Sequence, residues 1–166
     1  FLDAVVVPVS GGGMISGIAL AVKALNPNCL VLAAEPGGVM GNRADCAESK
    51  KRNEVQTDMP PPETVADGLR ARLGRLTWPV VRDKVDDVLV VSDVDIVRAM
   101  KLIYERMKLV VEPSGAAGLA AALSPAFADL NAKRAGWGKA ARCQNVGIVL
   151  CGGNVDLGVL WKSYGL

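Results

Sequence analysis

Hydrophobic and polar positions divide the chain into short apolar runs and longer segments in which apolar side chains recur at helical spacing. The short runs predict four β-strands, at residues 3–9, 30–34, 87–91 and 146–150. The first, second and fourth are apolar on consecutive positions, which is typical of strands buried on both faces of a parallel sheet. The longer segments predict helices at residues 14–25, 44–52, 78–84, 93–108, 113–123 and 155–166. The polar stretch at 131–142 predicts a loop.

The order of these elements predicts an α/β fold. Strands that alternate with helices form a mostly parallel sheet covered by helices, and the first strand–helix–strand unit has the length of a right-handed crossover. The helix after the third strand has clear boundaries, because Ser92 is a candidate N-cap, Asp93 and Asp95 follow it, and Arg106 and Lys108 stand at its end. Since the first residues already have the character of a buried strand, we expect the chain to begin inside a domain.

Composition narrows the classes of function. The chain has 166 residues, of which 51% are hydrophobic and 22% charged, and this composition suits one folded domain with a substantial core. A net charge of +2 and only three Trp, two Tyr and two Phe argue against a nucleic-acid-binding surface. No uninterrupted apolar run is long enough for a transmembrane helix, so the sequence predicts no membrane span.

The content of histidine and cysteine limits the chemistry further. The sequence has no histidine, which excludes Ser-His-Asp and Cys-His catalysis by these residues. Its four cysteines (Cys29, Cys46, Cys143 and Cys151) show no C-x-x-C spacing, so a structural zinc site is not expected. A chain of this size does not require a disulfide framework, and this favours a reducing, cytoplasmic compartment. Acid–base chemistry must therefore come from Lys, Asp, Glu, Tyr, Cys or a cofactor.

Two glycine-rich loops follow predicted strands, SGGGM at 10–14 and CGGN at 151–154. Three adjacent glycines lose much conformational freedom on folding, so they indicate special torsions or the close approach of a ligand. The free N–H groups at the start of the next helix favour an anion such as a phosphate. Ligands of open parallel sheets bind at the carboxyl ends of the strands, where Glu35 and Ser92 also lie. We therefore expect the two loops to line one cleft; a turn without a ligand is the alternative for SGGGM alone.

Two kinds of ligand are consistent with this cleft. A dinucleotide would use Gly11 and Gly13, with Ser16 in place of the third glycine of the fingerprint, and Glu35 would bind its ribose. A smaller phosphate-bearing cofactor, such as pyridoxal phosphate, would place its phosphate on SGGGM and the far edge of its ring at Cys151. The second hypothesis accounts for CGGN, which the first leaves unexplained.

Several long stretches of the sequence resemble one enzyme family. They are VPVSGGGMISGIA, LAAEP, PPETVADGLR, VDDVLVVS, YERMKLVVEPSGAAGLAAAL and VLCGGNVDL, and they occur in the family's order over nearly the whole chain. The chain resembles the serine racemase and threonine dehydratase family, the fold-type-II pyridoxal-phosphate enzymes. This resemblance implies a three-layer parallel sheet with helices on both faces, of the tryptophan-synthase-beta-like type. It also implies that residues 1–166 are the C-terminal part of the large, cofactor-binding domain, without the small domain.

The resemblance implies a set of residues that bind pyridoxal 5′-phosphate. In the family, the glycine loop binds the phosphate, the glycine of A-D-G and an acid before a helix lie near the cofactor, and a serine of S-G-G-N faces the pyridine nitrogen. The matching positions are Ser10, Gly11, Gly12, Gly13, Met14, Gly68, Glu112 and Cys151. Cys151 stands where the family usually has serine, and a neutral thiol keeps the ring nitrogen unprotonated, as a hydroxyl does.

The resemblance also implies a divalent cation, Mg²⁺ or else Ca²⁺ or Mn²⁺. Glu35 and Asp45 match the family's two acids, and the carbonyl of Arg43 would be a third ligand, although the insertion GGVMGN shifts the register there. Two carboxylates and a carbonyl suit magnesium. The alternative is that Glu35 caps a strand end and that Asp45 is a solvated acid at a helix N-terminus. Arg106 and Lys108 match positions that bind ATP in mammalian serine racemases; a helix C-terminus explains both charges without a nucleotide.

The family's Schiff-base lysine lies in a Ser-Phe-Lys-x-Arg-type stretch, which this sequence does not contain. We therefore expect the chain alone to be inactive. For the complete enzyme, a homodimer, the resemblance implies an amino-acid substrate and either racemisation of L- and D-serine, β-elimination of serine to pyruvate and ammonia, or both. A threonine dehydratase and a non-catalytic truncated protein are alternatives that the sequence leaves open.

Overall fold

The computed structural model describes residues 1–38, 44–56, 58–136 and 143–164, and its centre is a four-stranded parallel sheet. The strands are β1 (Ala4–Pro8), β2 (Leu30–Pro36), β3 (Asp87–Val91) and β4 (Val146–Ile148), in the order β3-β2-β1-β4. In register, Ala4 of β1 lies opposite Leu30 on one side and Val146 on the other. The two inner strands, β1 and β2, are buried along their whole length. The predicted parallel α/β sheet is confirmed.

Helices connect the strands and cover both faces of the sheet. In the described part of the chain they are α1 (Gly13–Leu25), α2 (Asp45–Arg52), α3 (Trp78–Lys84), α4 (Asp93–Leu102), α5 (Pro113–Ala122), α6 (Pro125–Gly136) and α7 (Leu157–Tyr164). The predicted N-cap of α4 is present, because the Ser92 hydroxyl oxygen accepts a hydrogen bond from the Asp95 amide at 3.2 Å. A short 3₁₀-helix, Asp67–Leu69, lies between α2 and α3.

Alternate residues of the inner strands face two separate hydrophobic cores. Val6 and Leu32 pack on one face in a core that includes Met100 of α4 and residues of α5. Their neighbours Val7 and Val31 pack on the opposite face in a core with residues of α1 and α3. Because side chains of a strand alternate between the two faces of a sheet, a strand that is apolar at every position requires cover on both sides. This arrangement is the predicted three-layer architecture.

Three sequence-based expectations need correction. The expected buried strand at 146–150 is shorter and only half-buried, because β4 lies at the edge of the described sheet and pairs with β1 alone. The expected loop at 131–142 is helical up to Gly136, as part of α6, and its remainder lies outside the described residues. The helix expected to reach Lys108 changes to a π-helical turn at Ile103–Met107, and Lys108 itself takes left-handed torsions (φ 58°).

The start of α6 carries signals that the sequence contains. The hydroxyl oxygen of Ser124 accepts a hydrogen bond from the Phe127 amide at 3.2 Å, and Pro125 occupies the first helical position. A serine followed by proline is a favourable helix start, since proline has no N–H to leave unpaired. No helix among the described residues is both long and apolar enough to span a lipid bilayer.

Candidate functional site

A cavity of about 300 Å³ lies at the carboxyl ends of β1 and β4, and all eight residues predicted to bind the cofactor line it. These residues are Ser10, Gly11, Gly12, Gly13, Met14, Gly68, Glu112 and Cys151. The strand order explains their convergence. Because β4 pairs with β1, the loops that follow these two strands emerge side by side at one edge of the sheet. Ser114 also lines the cavity, and sequence reasoning did not identify it.

The glycine loop presents backbone N–H groups at the start of α1. Within the described part of the chain, the amides of Gly12, Gly13 and Met14 donate no hydrogen bond, as is usual for the first turn of a helix. Gly12 has a φ of 87°, in the left-handed region that favours glycine. These donors and the positive end of the α1 dipole suit an anion that lies in the cavity.

Gly68 and Ser114 form another part of the cavity lining. The Gly68 amide donates to the Ser114 hydroxyl oxygen at 3.0 Å. A Cβ at Gly68 would lie 2.9 Å from that oxygen and 3.2 Å from Oε1 of Glu112, so a larger residue would have to displace the Ser114 hydroxyl from its bond to the Gly68 amide. Ser114 is 2% exposed and follows the proline that begins α5. That position, in the first turn of a helix and two residues after Glu112, is the sequence signal that could have identified it.

The carboxylate of Glu112 holds the CGGN loop. Its Oε2 accepts a hydrogen bond from the Asn154 amide at 3.1 Å, and the Glu112 amide donates to the Gly152 carbonyl at 3.2 Å. A Cβ at Gly152 would lie 2.4 Å from the carboxylate of Glu112, and Gly152 has a φ of 73°. Burial, and then the negative charge of Glu112, raise the pKa of the Cys151 thiol above its ordinary value. Cys151 is therefore a neutral thiol at pH 7.

The cavity fits pyridoxal phosphate in its size and in the chemistry of its lining. Its volume is at the lower end of the range for small-molecule sites. Open backbone donors lie at one end, the neutral thiol of Cys151 lies on the lining, and Pro8, Ile15 and Leu69 supply apolar surface for a ring. No lysine or arginine among the described residues lines it, so a phosphate there would be bound through backbone N–H groups and the helix dipole.

The two acids predicted to bind a metal form a separate buried pair. Glu35, which is 4% exposed, accepts hydrogen bonds from the amides of Cys46 and Ala47, each at 2.8 Å, at the start of α2. Asp45, which is 7% exposed, accepts one from the Leu73 amide at 2.6 Å. Burial raises the pKa of Glu35 to about 8 against the opposing effect of its two backbone hydrogen bonds, and the nearby negative charge of Asp45 raises it further.

This acidic pair suits a cation through its charge. Two adjacent buried carboxylates repel each other when both are charged, and each of the three oxygens that accept a backbone hydrogen bond can accept another. Asp45 is buried, so the alternative of a solvated helix-terminal acid is wrong, whereas Glu35 does bind the N-terminus of α2. Arg43, the predicted third ligand, lies outside the described residues. Among the residues that the structure describes, no three His, Cys, Asp or Glu side chains form a metal-binding group.

The remaining candidates lie away from the cavity. Glu35 lies near the end of β2 and Ser92 follows β3, both on the far side of β1 from β4, and neither lines the cavity. Glu35 therefore does not face a ligand on the glycine loop, as a ribose-binding acid would. Arg106 and Lys108 are exposed at the end of the π-helical turn. A role for them in nucleotide binding stays a prediction.

Comparisons with known proteins identify the family. A family model described as pyridoxal-phosphate dependent enzyme matches residues 1–152. Serine racemase from Oryza sativa subsp. indica is 55% identical over 162 residues, which are 98% of this chain and 44% of that protein. Serine racemase from Homo sapiens is 46% identical over 156 residues, 94% of this chain and 42% of that protein.

Solved structures give the same result. Maize serine racemase superposes with a TM-score of 0.81 at 54% identity, over 99% of this chain and 48% of that chain. A threonine deaminase from T.th. superposes with a TM-score of 0.76 at 39% identity, over 95% of this chain and 52% of that chain. The chain thus spans about half the length of these relatives, and it belongs to the family of pyridoxal-phosphate dependent enzymes.

Proposed function

We propose that this chain forms the cofactor-binding part of a serine racemase-like enzyme, which racemises L- and D-serine, eliminates water from serine to give pyruvate and ammonia, or does both. The observation that carries the proposal is the single cavity lined by the glycine loop, Gly68, Glu112 and Cys151. The high identity to proteins named serine racemase supports the choice of amino acid. The dinucleotide hypothesis has no comparable support, because Glu35 does not line the cavity.

Each part of the cavity has a distinct role in this proposal. Pyridoxal phosphate, when bound, stabilises negative charge that develops at the Cα atom of an amino acid. The amides of Gly12, Gly13 and Met14 would bind the phosphate, and Gly68 would leave room for the ring. The neutral thiol of Cys151 would serve as the neutral partner of the ring nitrogen and leave it unprotonated. Glu112 orients the CGGN loop on which Cys151 stands.

The acidic pair is a proposed site for Mg²⁺. A cation between Glu35 and Asp45 would offset their mutual repulsion and keep both carboxylates charged. The pair joins β2, the start of α2 and, through the Leu73 amide, the segment before α3. The role that follows from these contacts is structural, because neither acid reaches the cavity.

The reactive lysine is proposed to come from polypeptide outside these 166 residues. No Ser-Phe-Lys-x-Arg-type stretch occurs in the sequence, and the rice and human relatives are more than twice as long as the segment they share with it. The chemistry of this cofactor needs an amine side chain that would hold it and move the Cα proton. Within the proposal, this chain binds and orients the cofactor and the missing part performs proton transfer.

Binding and activity experiments test this division of roles. We expect the chain to bind pyridoxal phosphate, measured by equilibrium dialysis and by the ³¹P chemical shift, with weaker binding after Gly68→Ala. We expect no pyruvate or D-serine from L-serine above a control with the cofactor alone. A longer polypeptide that carries the lysine stretch is expected to show both the binding and the turnover. Turnover by the 166-residue chain would refute the proposed role of the missing lysine.

A threonine dehydratase is the second candidate, because the threonine deaminase from T.th. shares 39% identity and the fold over 95% of this chain. The lysine-containing polypeptide separates the two activities. A higher kcat/KM for L-serine than for L-threonine, with D-serine among the products, supports the racemase. Formation of 2-oxobutyrate from L-threonine as the main reaction supports the dehydratase. Sedimentation of the same polypeptide, with and without ATP, tests the proposed homodimer and the role of Arg106 and Lys108.

A further inference from the structure

The segment Ala71–Thr77, which we call the clasp, contacts the glycine loop and is hydrogen-bonded to it at three positions. The Ser10 hydroxyl donates to the Ala71 carbonyl at 3.2 Å and accepts from the Ala71 amide at 3.1 Å. The Gly74 amide donates to the Gly11 carbonyl at 3.1 Å. The Thr77 hydroxyl donates to the same Gly11 carbonyl at 2.6 Å. The clasp is more than sixty residues away in sequence from the loop it contacts.

The two bonds to the Gly11 carbonyl determine where the next N–H group points. A carbonyl oxygen has two lone pairs, and the clasp occupies both. The peptide bond is planar and trans, so its C=O and N–H point in opposite directions. With the Gly11 carbonyl held against the clasp, the Gly12 N–H must point away from the clasp; Gly12 lines the cavity, and no residue of the clasp does. A rotation of this peptide plane would remove a donor from the proposed phosphate site.

Steric contact between Gly12 and the clasp restricts the same peptide. A Cβ at Gly12 would lie 2.6 Å from Oγ1 of Thr77 and 2.9 Å from Cδ1 of Leu73. The backbone of the loop therefore lies directly against these two side chains. Thr77 both donates a hydrogen bond to Gly11 and packs against the backbone of Gly12. The Thr77 oxygen also lies 3.0 Å from the Gly74 carbonyl, and the shorter distance favours its single proton on Gly11.

The clasp is also hydrogen-bonded to a residue outside the glycine loop. The Leu73 amide donates to Oδ2 of Asp45 at 2.6 Å, in a buried position. The clasp is thus bound on one side to α2 and on the other to the loop at the start of α1. It cannot move away from the glycine loop without breaking a buried hydrogen bond to a carboxylate, which is costly.

We infer that the clasp holds the glycine loop in its anion-binding conformation and that Thr77 is the positioning residue, with its hydroxyl proton directed to the Gly11 carbonyl. The identity of the anion rests on the proposed function. The conformation of the loop does not, so the two can be tested separately. Thr77 does not touch the anion in this inference; it acts through the Gly11–Gly12 peptide.

The test compares Thr77→Val, which removes the hydroxyl at nearly constant volume, with Thr77→Ser, which restores it. Ser10→Ala removes the other side-chain bond between loop and clasp. Ser124→Ala is the matched control, because its hydroxyl donates to the Ala121 carbonyl at 2.7 Å, beyond α5, and it does not line the cavity. Amide order parameters and hydrogen exchange of residues 11–14 are measured without ligand. Affinities for inorganic phosphate and for pyridoxal phosphate are then measured by ³¹P NMR on the whole chain.

The inference predicts greater mobility of residues 11–14 and about a tenfold lower affinity for both probes in Thr77→Val, with recovery in Thr77→Ser and no change in Ser124→Ala. If Thr77→Val fails to fold, Ser10→Ala is expected to increase the mobility of residues 11–14 and to lower both affinities, by smaller amounts. Unchanged mobility and affinity in these variants, or equal losses in Thr77→Ser, would overturn the inference. If the parent chain binds neither probe while Thr77→Val still mobilises the loop, the positioning role stands and the proposed cofactor site fails.

Discussion

Replacing Gly115 with alanine is predicted to destabilise the chain and to distort the cavity, whereas the same replacement at Gly17 is predicted to stabilise it. Both glycines lie inside helices, Gly115 in α5 and Gly17 in α1. In a helix, alanine is more favourable than glycine by about 1 kcal/mol. At Gly17 no atom of the described structure, apart from its chain neighbours and the backbone of its own helix, lies within 4 Å of the new Cβ, so the chain should gain about 0.5–1 kcal/mol of stability.

At Gly115 the new Cβ meets the backbone of the CGGN loop. It would lie 2.0 Å from the carbonyl oxygen of Cys151 and 3.0 Å from the carbonyl carbon, whereas an ordinary contact needs at least 3.4 Å. The loop must therefore shift by more than an ångström. Overpacking of this kind costs about 1–3 kcal/mol, and loss of the bond from the Glu112 amide to Gly152 adds about 1 kcal/mol. After the helix gain is subtracted, we expect a net loss of about 2 kcal/mol.

Urea unfolding followed by circular dichroism measures this difference, and the two variants should differ by about 3 kcal/mol in opposite directions from the parent chain. The affinity for pyridoxal phosphate should fall in Gly115→Ala alone, because Cys151 moves with the loop. Equal stabilisation by both replacements would refute the close packing of α5 against the CGGN loop. Equal destabilisation by both replacements would show that contact of the new Cβ with the CGGN loop does not explain the loss of stability.

Three further predictions concern single groups. Because the folded-state pKa of Glu35 is raised from 4.5 to about 8, its contribution to stability is fully present below pH 4.5 and is lost as the pH rises through 8. In EDTA we therefore expect the free energy of unfolding by urea to be lower at pH 8.5 than at pH 5, by at most about 5 kcal/mol. Excess Mg²⁺ should restore this stability mainly at the higher pH. A free energy of unfolding that does not change with pH would contradict this prediction. Cys29 and Cys46 are 3% and 1% exposed, and burial raises the pKa of both thiols. A thiol reagent should therefore modify these two cysteines only after unfolding, and immediate reaction of all four cysteines in the folded chain would contradict this. Gly12→Ala should lower the free energy of unfolding by more than about 1 kcal/mol, because residue 12 has a φ of 87° and a Cβ there would clash with Thr77. A thermal unfolding temperature equal to that of the parent chain would disprove this strain.

The sequence predicted most of the secondary structure because local patterns carry that information. Fully apolar runs identified β1 and β2, and the Ser92 cap with its acids identified the start of α4. The loop predicted at 131–142 was wrong for residues 131–136, because they continue a helix that begins earlier, at Pro125, whereas residues 137–142 lie outside the described part of the chain. The extent of β4 depended on its neighbours, since only β1 pairs with it in the described sheet.

The sequence predicted some residues of the candidate site and missed others. The resemblance to a family selected the eight cavity residues, and the structure brings them together, although their binding to the cofactor stays a prediction. Ser114 was missed because its contact with Gly68 spans 46 residues of sequence. The clasp was missed for the same reason, as no local pattern shows that Thr77 reaches the carbonyl of Gly11. Arg43 lies outside the described residues, so the metal register is still a prediction.

The sequence by itself determined the α/β class, the glycine loops and the absence of histidine chemistry, since each of these depends on residue type and short-range spacing. Only the tertiary structure decided that the SGGGM and CGGN loops share a cavity while Glu35 turns away from it. The strand order β3-β2-β1-β4 puts the loops after β1 and β4 side by side, and two hydrogen bonds from the first amides of α2 hold the Glu35 carboxylate elsewhere. Strand order results from the packing of helices on both faces of the sheet, and that packing joins residues that are distant along the chain.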